Sequence, residues 1–378
     1  MSNGVSVIIP TYNRAALLRE TLDSVLQQSR PAEEILVVDD CSPDETVQVV
    51  AQYADRVRLI RKTENRGKAH SINLALAECT QPLVWIVDDD DLIDPTALET
   101  LVGLLADKPE AGFAYGRHAR FSIDPEGNRT DMGTGYWTAC SEDDFFVRTL
   151  EDFFVHQPGM IVRRSVIDEA GALDESLVRS QDYDFLVRIA RLSDCAKTEN
   201  VVFFQRQHDG MRGTKDTSFS AAQRDEKWIA YDQKIFSGLR DSLTLDEYLP
   251  GQGDIQSDQD RRQALLQRGV IMGRKKMWSL AAEDFMAAAR IAPSQLTSDE
   301  LAILKRAFGS KYGCGEVLAA PFPRKAFRQL YRTSPSGRTI SRALAAGLKW
   351  RIRQAARNGA YRDAIGYARQ VFNLHFGL

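Results

Sequence analysis

A short apolar run that ends in four consecutive aspartates is the feature that most constrains this chain. Residues 83–87, Leu-Val-Trp-Ile-Val, have the composition of a buried strand, and the run Asp88-Asp89-Asp90-Asp91 follows directly. Four carboxylates this close repel one another unless a cation lies among them, and Mg²⁺ and Mn²⁺ prefer oxygen ligands. The run therefore predicts a divalent-cation site at the end of a strand. The alternative is a solvated acidic loop.

Short β-branched runs alternate with helical patterns in the first third of the chain, which predicts βαβ units and a mostly parallel sheet. In such sheets ligands bind outside the carboxyl ends of the strands. Polar clusters follow four predicted strands, so we expect them to form one site. The predicted strands are 5–9, 35–38, 57–60 and 83–87; the predicted helices are 15–28, 45–53, 68–78 and 96–107; the clusters are 10–14, 39–42, 65–68 and 88–91.

The later part of the chain has a different pattern. Residues 141–204 predict helices and irregular segments, and 209–220 are rich in Gly, Thr and Ser, as mobile loops often are. Residues 261–292 resemble a single helix-turn-helix of tetratricopeptide type, and 352–372 form a second, weaker helical hairpin. Two imperfect units are too few for a stable solenoid, so we expect a helical appendage.

Length and cysteine content limit the class of protein. With 378 residues the chain is long enough for two or three domains. Its five cysteines show no paired spacing typical of zinc sites or disulfides, which favours reduced thiols in a cytoplasmic protein. The first residues lack a signal-peptide pattern, and no apolar run approaches the length of a membrane span.

Charge is distributed unevenly along the chain. Residues 319–378 contain twelve Lys or Arg and one acid, Asp363, whereas the whole chain carries a net charge of −3. Basic amphipathic helices often lie on anionic membrane surfaces, so we expect peripheral contact with a membrane. Nucleic-acid binding is the weaker interpretation because no recognised motif accompanies the charge. Self-association through the helices is a third possibility.

The polar clusters together closely resemble those of family 2 glycosyltransferases with the GT-A fold. The similarity extends over residues 5–208, a little over half of the chain, with the motifs in the family's order and spacing. The matching motifs are VIIPTYNR at 7–14, VVDDCSPDET at 37–46, NRGK at 65–68, the aspartates at 88–91, GALDE at 171–175 and QD at 181–182.

The resemblance implies an α/β GT-A fold, in which a Rossmann-like, mostly parallel sheet is flanked by helices, followed by an all-α C-terminal domain. We place the catalytic domain at 1–220, a helical connector and linker at 221–260, and the helical C-terminal domain at 261–378. The implied activity is inverting transfer of a hexosyl or N-acetylhexosaminyl group from a nucleotide sugar, most simply a UDP-sugar. The implied acceptor is a glycan or lipid-linked saccharide of surface polysaccharide or lipopolysaccharide synthesis.

The resemblance also assigns roles to individual residues. Asp88 and Asp90 form the D-x-D pair that holds Mn²⁺ or Mg²⁺, and His208 lies where many relatives place a histidine near the metal. Tyr12 is placed to stack on the nucleobase. The residues expected to bind the nucleotide sugar are Pro10, Thr11, Tyr12, Arg14, Asp39, Asp40, Asn65, Arg66, Gly67, Lys68, Asp88 and Asp89.

Asp182 matches the carboxylate that serves the family as general base. An inverting transfer needs such a base because the attacking hydroxyl must lose its proton. The preceding residue is Gln181, where the family has Glu, so the negative charge of that Glu is absent from this chain. The alternative role for Asp182 is to cap the following helix. Candidate acceptor contacts are Tyr136, Trp137, His156 and Gln181.

Other nucleotide-binding classes lack support in the sequence. The first predicted strand is followed by Pro-Thr-Tyr-Asn-Arg, which is not the G-x-G-x-x-G turn of dinucleotide enzymes, and no P-loop motif is present. The remaining alternative is a catalytically inactive GT-A-like scaffold that assembles partners through its helical tail.

Overall fold

The computed structural model describes residues 3–207, 224–291, 295–319 and 322–378. These residues separate into two compact units. The first unit contains residues 1–142 and 153–224, and the second contains 143–152 and 225–378. The second unit is therefore built from two separate stretches of the chain.

A mixed sheet forms the centre of the first unit. Its strands are β1 (Val5–Thr11), β2 (Glu34–Asp39), β3 (Arg58–Arg61), β4 (Leu83–Ile86), β5 (Leu92–Ile93), β6 (Phe113–Ile123), β7 (Arg129–Thr134), β8 (Met160–Arg163) and β9 (Cys195–Arg206). The order is β3-β2-β1-β4-β8-β6-β9-β5, and β7 pairs with β6. The pairs among β3, β2, β1 and β4 are parallel, as predicted, while β8 runs antiparallel to both β4 and β6.

Helices of the first unit follow its strands closely. They are α1 (Ala15–Leu26), α2 (Thr46–Ala51), α3 (Lys68–Glu78), α4 (Ala97–Asp107), α6 (Arg164–Ala170) and α7 (Gln181–Leu192). The core beside the sheet consists of strand residues such as Val7, Val37 and Trp85 packed with Leu18, Leu22 and Leu98 from α1 and α4. The predicted α/β class with a GT-A-like, helix-flanked sheet is confirmed.

The expectation of only helices and irregular segments at 141–204 is wrong in part. This stretch contains β8 and most of the twelve-residue strand β9. The strand β8 is only four residues long, and the polar run Lys197-Thr198-Glu199-Asn200 interrupts the apolar pattern of β9. Both strands are specified by pairing with β6 rather than by a regular local pattern.

The second unit is helical in its described residues. Its helices are α5 (Phe145–Glu151), α8 (Arg224–Ser242), α9 (Asp258–Arg274), α10 (Trp278–Ala288), α11 (Ser298–Lys305), α12 (Arg324–Thr333), α13 (Pro335–Arg357) and α14 (Tyr361–Phe376). The pair α13 and α14 forms the second predicted hairpin, with its turn at Asn358-Gly359 and Gly359 at φ 73°. The predicted all-α C-terminal part is confirmed, and its division into domains at 220 and 260 stays a prediction.

Candidate active site

The four aspartates lie beyond the carboxyl end of β4, as predicted. Asp89, Asp90 and Asp91 are buried, and the side chain of Asp88 is 33% exposed. One carboxylate oxygen from each of Asp88, Asp90 and Asp91 lies within 4.8 Å of the others. Asp91 therefore joins the predicted pair of Asp88 and Asp90 in one cluster.

Two cationic side chains neutralise this cluster in part. The Nη1 of Arg14 lies 2.9 Å from Asp89 Oδ1 and 2.8 Å from Asp90 Oδ2. Lys68, the first residue of α3, forms an ion pair with Asp88. Burial lowers the pKa of Lys68, but the carboxylates of Asp88, Asp182 and Asp90 more than offset that effect and hold it above its ordinary value. The candidate base Asp182 is thus close enough to act on the same lysine.

Asp89 is not one of the three clustered carboxylates and is held by other partners. Its Oδ2 accepts a hydrogen bond of 2.7 Å from the Thr11 hydroxyl at the end of β1, and its Oδ1 pairs with Arg14. Burial raises the pKa of Asp89 to about 6, against the opposing effect of Arg14. These contacts join the carboxyl ends of β1 and β4, and they make Asp89 a support for the cluster.

Arg206, at the end of β9, holds the acidic segment from its other side. Its backbone N–H donates to Asp91 Oδ1, its Nε donates to the Asp90 carbonyl oxygen, and its Nη2 contacts Glu20 of α1. The Thr21 hydroxyl donates to the Asp91 carbonyl oxygen. Sequence reasoning missed Arg206 and Thr21 because their partners are distant along the chain and leave no local motif.

The cluster after β2 organises the neighbouring loop. Asp40 is buried, forms an ion pair with the buried Lys62, and accepts the backbone N–H groups of Arg66 and Gly67 at 2.9 and 2.7 Å. Gly67 has φ 88°, a conformation that favours glycine, and it precedes the first turn of α3. Asp40 thus fixes the loop that places Lys68, and Lys62 is a further residue that sequence reasoning missed.

The two carboxylate oxygens of Asp39 differ in their hydrogen bonding: within the part of the chain described, Oδ1 accepts a hydrogen bond and Oδ2 does not. Its Oδ1 accepts the backbone N–H of Ser42 at 2.9 Å, which caps the turn after β2. Its buried Oδ2 has no hydrogen-bond partner among the described residues, although Arg61 Nε lies 3.4 Å away. Asp39 can therefore both cap the turn and accept a hydrogen bond from a ligand.

Tyr12 lies in the loop after β1, where its side chain is 37% exposed. The next residue, Asn13, has φ 55°, and its backbone N–H donates to the Ser42 hydroxyl at 2.9 Å. The first and second polar clusters are therefore joined directly. Pro10 is buried in β1 beside Val38 of β2, and its role in binding the nucleotide sugar stays a prediction.

The remaining predicted donor residues lie in the loop before α3. Asn65 is half-buried, and its Oδ1 has no hydrogen-bond partner in the part of the chain that the structure describes. Arg66 is exposed and lies 3.6 Å from Glu175 of the GALDE segment. All four polar clusters thus meet at one edge of the sheet, as expected from their positions after the strands.

Asp182 lies in the first turn of α7, half-buried, with its Oδ1 accepting its neighbour's backbone N–H at 2.9 Å. The residue before the helix, Ser180, has φ 59°, an uncommon conformation for a residue with a side chain. Gln181 is buried, and its Oε1 has no hydrogen-bond partner among the residues described.

Two side chains fix the GALDE segment that leads to Asp182. Asn73 of α3 forms paired hydrogen bonds of 2.9 Å with the backbone N–H and carbonyl of Leu173. Arg188 of α7 donates to the carbonyl oxygens of Ala170, Gly171 and Ala172. The helices that carry Lys68 and Asp182 are therefore tied to one segment, and neither tie was visible as a sequence motif.

The acceptor candidates lie in different surroundings. Tyr136 is 39% exposed, and Trp137 packs on Tyr115, with ring centroids 5.6 Å apart. His156 makes an edge contact with His118 at 4.7 Å between ring centroids. The contacts among the described residues do not test whether these side chains bind the acceptor sugar, so their roles stay predictions. His208, predicted near the metal, lies outside the described residues.

The carboxylates fit a divalent cation. Mg²⁺ takes oxygen ligands at about 2.0–2.1 Å, so two oxygens on one ion lie at most about 4 Å apart. The cluster of Asp88, Asp90 and Asp91, within 4.8 Å, needs only small rotations to reach that spacing. Arg14 and Lys68 supply two positive charges against four carboxylates, which leaves the segment with excess negative charge.

Comparison with known families supports the resemblance seen in the sequence. Residues 6–171 match the model of glycosyl transferase family 2. This segment is similar to family 2 glycosyltransferases, as its motifs predicted. The matched residues include the four polar clusters and the GALDE segment up to Gly171.

Proteins similar to this chain occur in several bacteria. An uncharacterized glycosyltransferase of Haemophilus influenzae is 28% identical over 188 residues, which are 49% of this chain and 61% of that protein. An uncharacterized glycosyltransferase of Rickettsia typhi is 26% identical over 254 residues, 65% of this chain and 74% of that protein. The chain thus spans between three fifths and three quarters of these two relatives.

Solved structures support the GT-A fold. The crystal structure of S. aureus TarS 1–349 in complex with UDP-GlcNAc has a TM-score of 0.52 at 16% identity, with 94% of this chain and 92% of that chain covered. The complex of the same protein with UDP has a TM-score of 0.51 at 17% identity, with 99% and 92% covered. At this identity the likeness establishes the fold alone.

Proposed function

We propose that the protein is a metal-dependent, inverting glycosyltransferase that takes a UDP-sugar as donor. The observation that carries this proposal is the convergence of Asp88, Asp90 and Asp91 with Lys68, on which Asp182 also acts. One end of the sheet therefore carries oxygens that can bind a metal, a cation that can bind a diphosphate, and a candidate base. The UDP-GlcNAc and UDP complexes of TarS support the choice of a uridine nucleotide.

The nucleoside end of the donor would lie over the first two polar clusters. Tyr12 offers an exposed ring on which a base can stack, and the spare Oδ2 of Asp39 is an acceptor for an imide N–H. Uracil and thymine carry such a group, whereas cytosine does not. Asp40 is already engaged by Lys62 and the loop backbone, which favours Asp39 as the residue that reads the base.

The diphosphate end would lie at the acidic cluster. A divalent ion, when bound there, supplies Lewis-acid stabilisation of the charge that develops on the departing diphosphate. Asp88, Asp90 and Asp91 would hold the ion, while Lys68 and Arg14 orient phosphate oxygens once they are released from their carboxylate partners. His208 stays a further predicted ligand.

Transfer follows from the position of Asp182. An acceptor hydroxyl attacks the anomeric carbon of the donor, Asp182 takes its proton, and the bond to the diphosphate breaks, so that UDP leaves and the anomeric configuration inverts. The charges of Lys68 and Asp182 interact, so a cationic side chain accompanies the candidate base.

The acceptor is proposed from chemistry and charge. We propose a glycan or lipid-linked saccharide of surface polysaccharide or lipopolysaccharide synthesis, with Tyr136, Trp137, His156 and Gln181 as contacts. Among the described residues, no helix combines the length and the hydropathy needed to cross a bilayer. The basic residues within 319–378 would provide peripheral attachment to an anionic membrane.

A donor-binding assay with one substitution tests the function. Nucleotide sugars are first screened by thermal shift with and without Mn²⁺. Donor hydrolysis and transfer are then measured for Asp182→Asn and for the matched control Asp184→Asn, which makes the same change two residues further along α7. We expect one UDP-sugar to stabilise the protein only with metal, and Asp182→Asn to bind that donor normally while transfer falls at least about a hundredfold.

An inactive scaffold is the second candidate, favoured by Gln181 in place of the family's Glu. That scaffold would show no metal-dependent donor binding and no turnover in the wild-type protein. Normal transfer by Asp182→Asn would instead refute the assignment of the base.

A further inference from the structure

The last helix, α14, carries apolar side chains on its solvent face as well as on its buried face. Tyr361, Ile365, Phe372 and Phe376 are 68%, 71%, 52% and 51% exposed. Most exposed large apolar residues occur singly on protein surfaces, but four on one helix form a patch, and such patches mark interaction sites.

The spacing places these four side chains on one stripe. At about 100° per residue, separations of four, seven and four residues keep them within an arc of about 60°. The exposed Ala368 falls on the same stripe, and the rings of Phe372 and Phe376 contact each other with centroids 4.7 Å apart. We call Tyr361, Ile365, Ala368, Phe372 and Phe376 the α14 stripe.

The opposite face of α14 already has its packing partners. Ala364, Tyr367, Gln370 and Leu374 are buried, and Gln370 Nε2 donates to the Val317 carbonyl oxygen. Packing within the unit therefore accounts for one face of the helix and not for the α14 stripe. A surface helix would ordinarily be polar on that side.

Charge identifies the occupant of the stripe. Arg362 and Arg369 lie beside the stripe on the helix surface, and both are exposed. Residues 319–378 contain twelve Lys or Arg and one acid, so a second copy docked through the same face would bring like charges together. An anionic lipid surface offers opposite charge for the arginines and an apolar interior for the stripe.

We infer that α14 is a membrane-insertion helix, whose stripe enters the boundary between lipid headgroups and acyl chains while Arg362 and Arg369 contact anionic headgroups. The inference rests on the membrane attachment in the proposed function and deepens it, because attachment then requires apolar burial in addition to charge. A helix that inserts in this way lies in the plane of the interface and does not cross the bilayer.

Vesicle co-sedimentation of the full chain tests the inference. The probes are vesicles of phosphatidylcholine alone and of phosphatidylcholine with phosphatidylglycerol. The variant is Phe372→Ser with Phe376→Ser, and its matched control is Met132→Ser, which removes an exposed apolar side chain of β7. We expect wild type and control to bind the anionic vesicles and the double variant to bind at least about tenfold more weakly.

A second pair of variants separates charge from insertion. Arg362→Gln with Arg369→Gln lowers binding to anionic vesicles severalfold, whereas Arg56→Gln, at an exposed arginine of the first unit, leaves it unchanged. Circular dichroism confirms that each variant keeps its helices. Binding of Phe372→Ser with Phe376→Ser equal to wild type would overturn the inference and leave purely electrostatic attachment standing.

Other outcomes distinguish the remaining explanations. If the wild type fails to bind anionic vesicles, the inference and the membrane part of the proposed function both fail, whereas donor hydrolysis in solution tests the enzyme independently. If analytical ultracentrifugation shows a dimer that the double serine variant dissociates, with vesicle binding unchanged, the stripe is an interface between copies and the inference is overturned.

Discussion

At the scale of residues, the candidate site consists of charges that constrain one another. Asp88, Asp90 and Asp91 converge, and Arg14 and Lys68 neutralise them only in part. Carboxylates held together in this way are costly unless a cation joins them, because burial disfavours the charged form. The arrangement is therefore suited to binding a metal rather than to stabilising the fold.

Asp91 provides a test of this view, because the D-x-D pair predicted from the family resemblance contains only Asp88 and Asp90. We expect Asp91→Asn and Asp90→Asn each to weaken Mn²⁺ binding about tenfold or more, because each substitution removes one of three converging charged oxygens. Isothermal titration of Mn²⁺ into the protein with UDP measures this affinity.

The matched control is Asp94→Asn. Asp94 caps the turn before α4 by accepting from the Thr96 backbone and hydroxyl, and it lies outside the cluster. Unchanged Mn²⁺ affinity in Asp91→Asn would show that the side chain only supports the backbone of Arg206.

At the scale of elements, the site depends on ties between segments far apart in sequence. Asn73 links α3 to the GALDE segment, and Arg188 links that segment to α7. Such ties hold Lys68 and Asp182 in a fixed relation, and misplacement of a catalytic group by about 1 Å is enough to lower a rate strongly.

We expect Asn73→Ala to lower the free energy of unfolding by about 2 kcal/mol, because two backbone groups of Leu173 lose their partners. We also expect kcat to fall several-fold while the donor KM stays nearly constant, since the substitution displaces the base more than the nucleotide site. Urea denaturation and steady-state kinetics measure the two effects.

The control is Asn128→Ala, which removes a side-chain hydrogen bond to Asp124 at an exposed turn. An Asn73→Ala variant that loses stability and keeps its full kcat would assign Asn73 a purely structural role.

At the scale of the whole molecule, stability depends on buried charge in the second unit. Lys275 is buried, with its Nζ 3.2 Å from the Glu151 carbonyl oxygen and 4.3 Å from the centre of the Phe236 ring. Burial lowers the pKa of Lys275 to about 8, although Asp232 and Asp152 oppose this shift.

The sign of the resulting pH dependence follows from proton linkage. Between about pH 8 and the ordinary lysine pKa of about 10.4, the unfolded chain binds more protons at this site than the folded chain. The lysine's contribution to the unfolding free energy therefore rises with pH across this window, by up to about 3 kcal/mol. Below pH 8 the charged lysine carries its full burial cost.

Comparison with Lys275→Met isolates this effect from other titrating groups. We expect the unfolding free energy of wild type relative to Lys275→Met to increase from pH 8 to 10, as measured by urea denaturation followed by circular dichroism. Lys305→Met, at an exposed lysine, should show no such trend. A constant difference between wild type and Lys275→Met would mean that Lys275 is as easily protonated as a free lysine.

The strands and polar clusters that the sequence predicted are those specified by the local pattern of apolar and polar residues. Apolar runs followed by polar clusters specify strands whose carboxyl ends meet, so the positions of Tyr12, Asp39, Lys68 and the four aspartates could be inferred from alternation alone. The motifs around them sufficed to indicate family 2 glycosyltransferases, and the match over residues 6–171 bears this out.

Only the tertiary structure decided which charges face one another. Arg14 pairs with Asp89 and Asp90, and Arg206 binds the backbone of the acidic segment, across separations that leave no periodic pattern. The strands β8 and β9 likewise depend on pairing with β6. Tertiary packing also determines which face of α14 is exposed to solvent, because burial depends on the packed unit and not on a local run of residues.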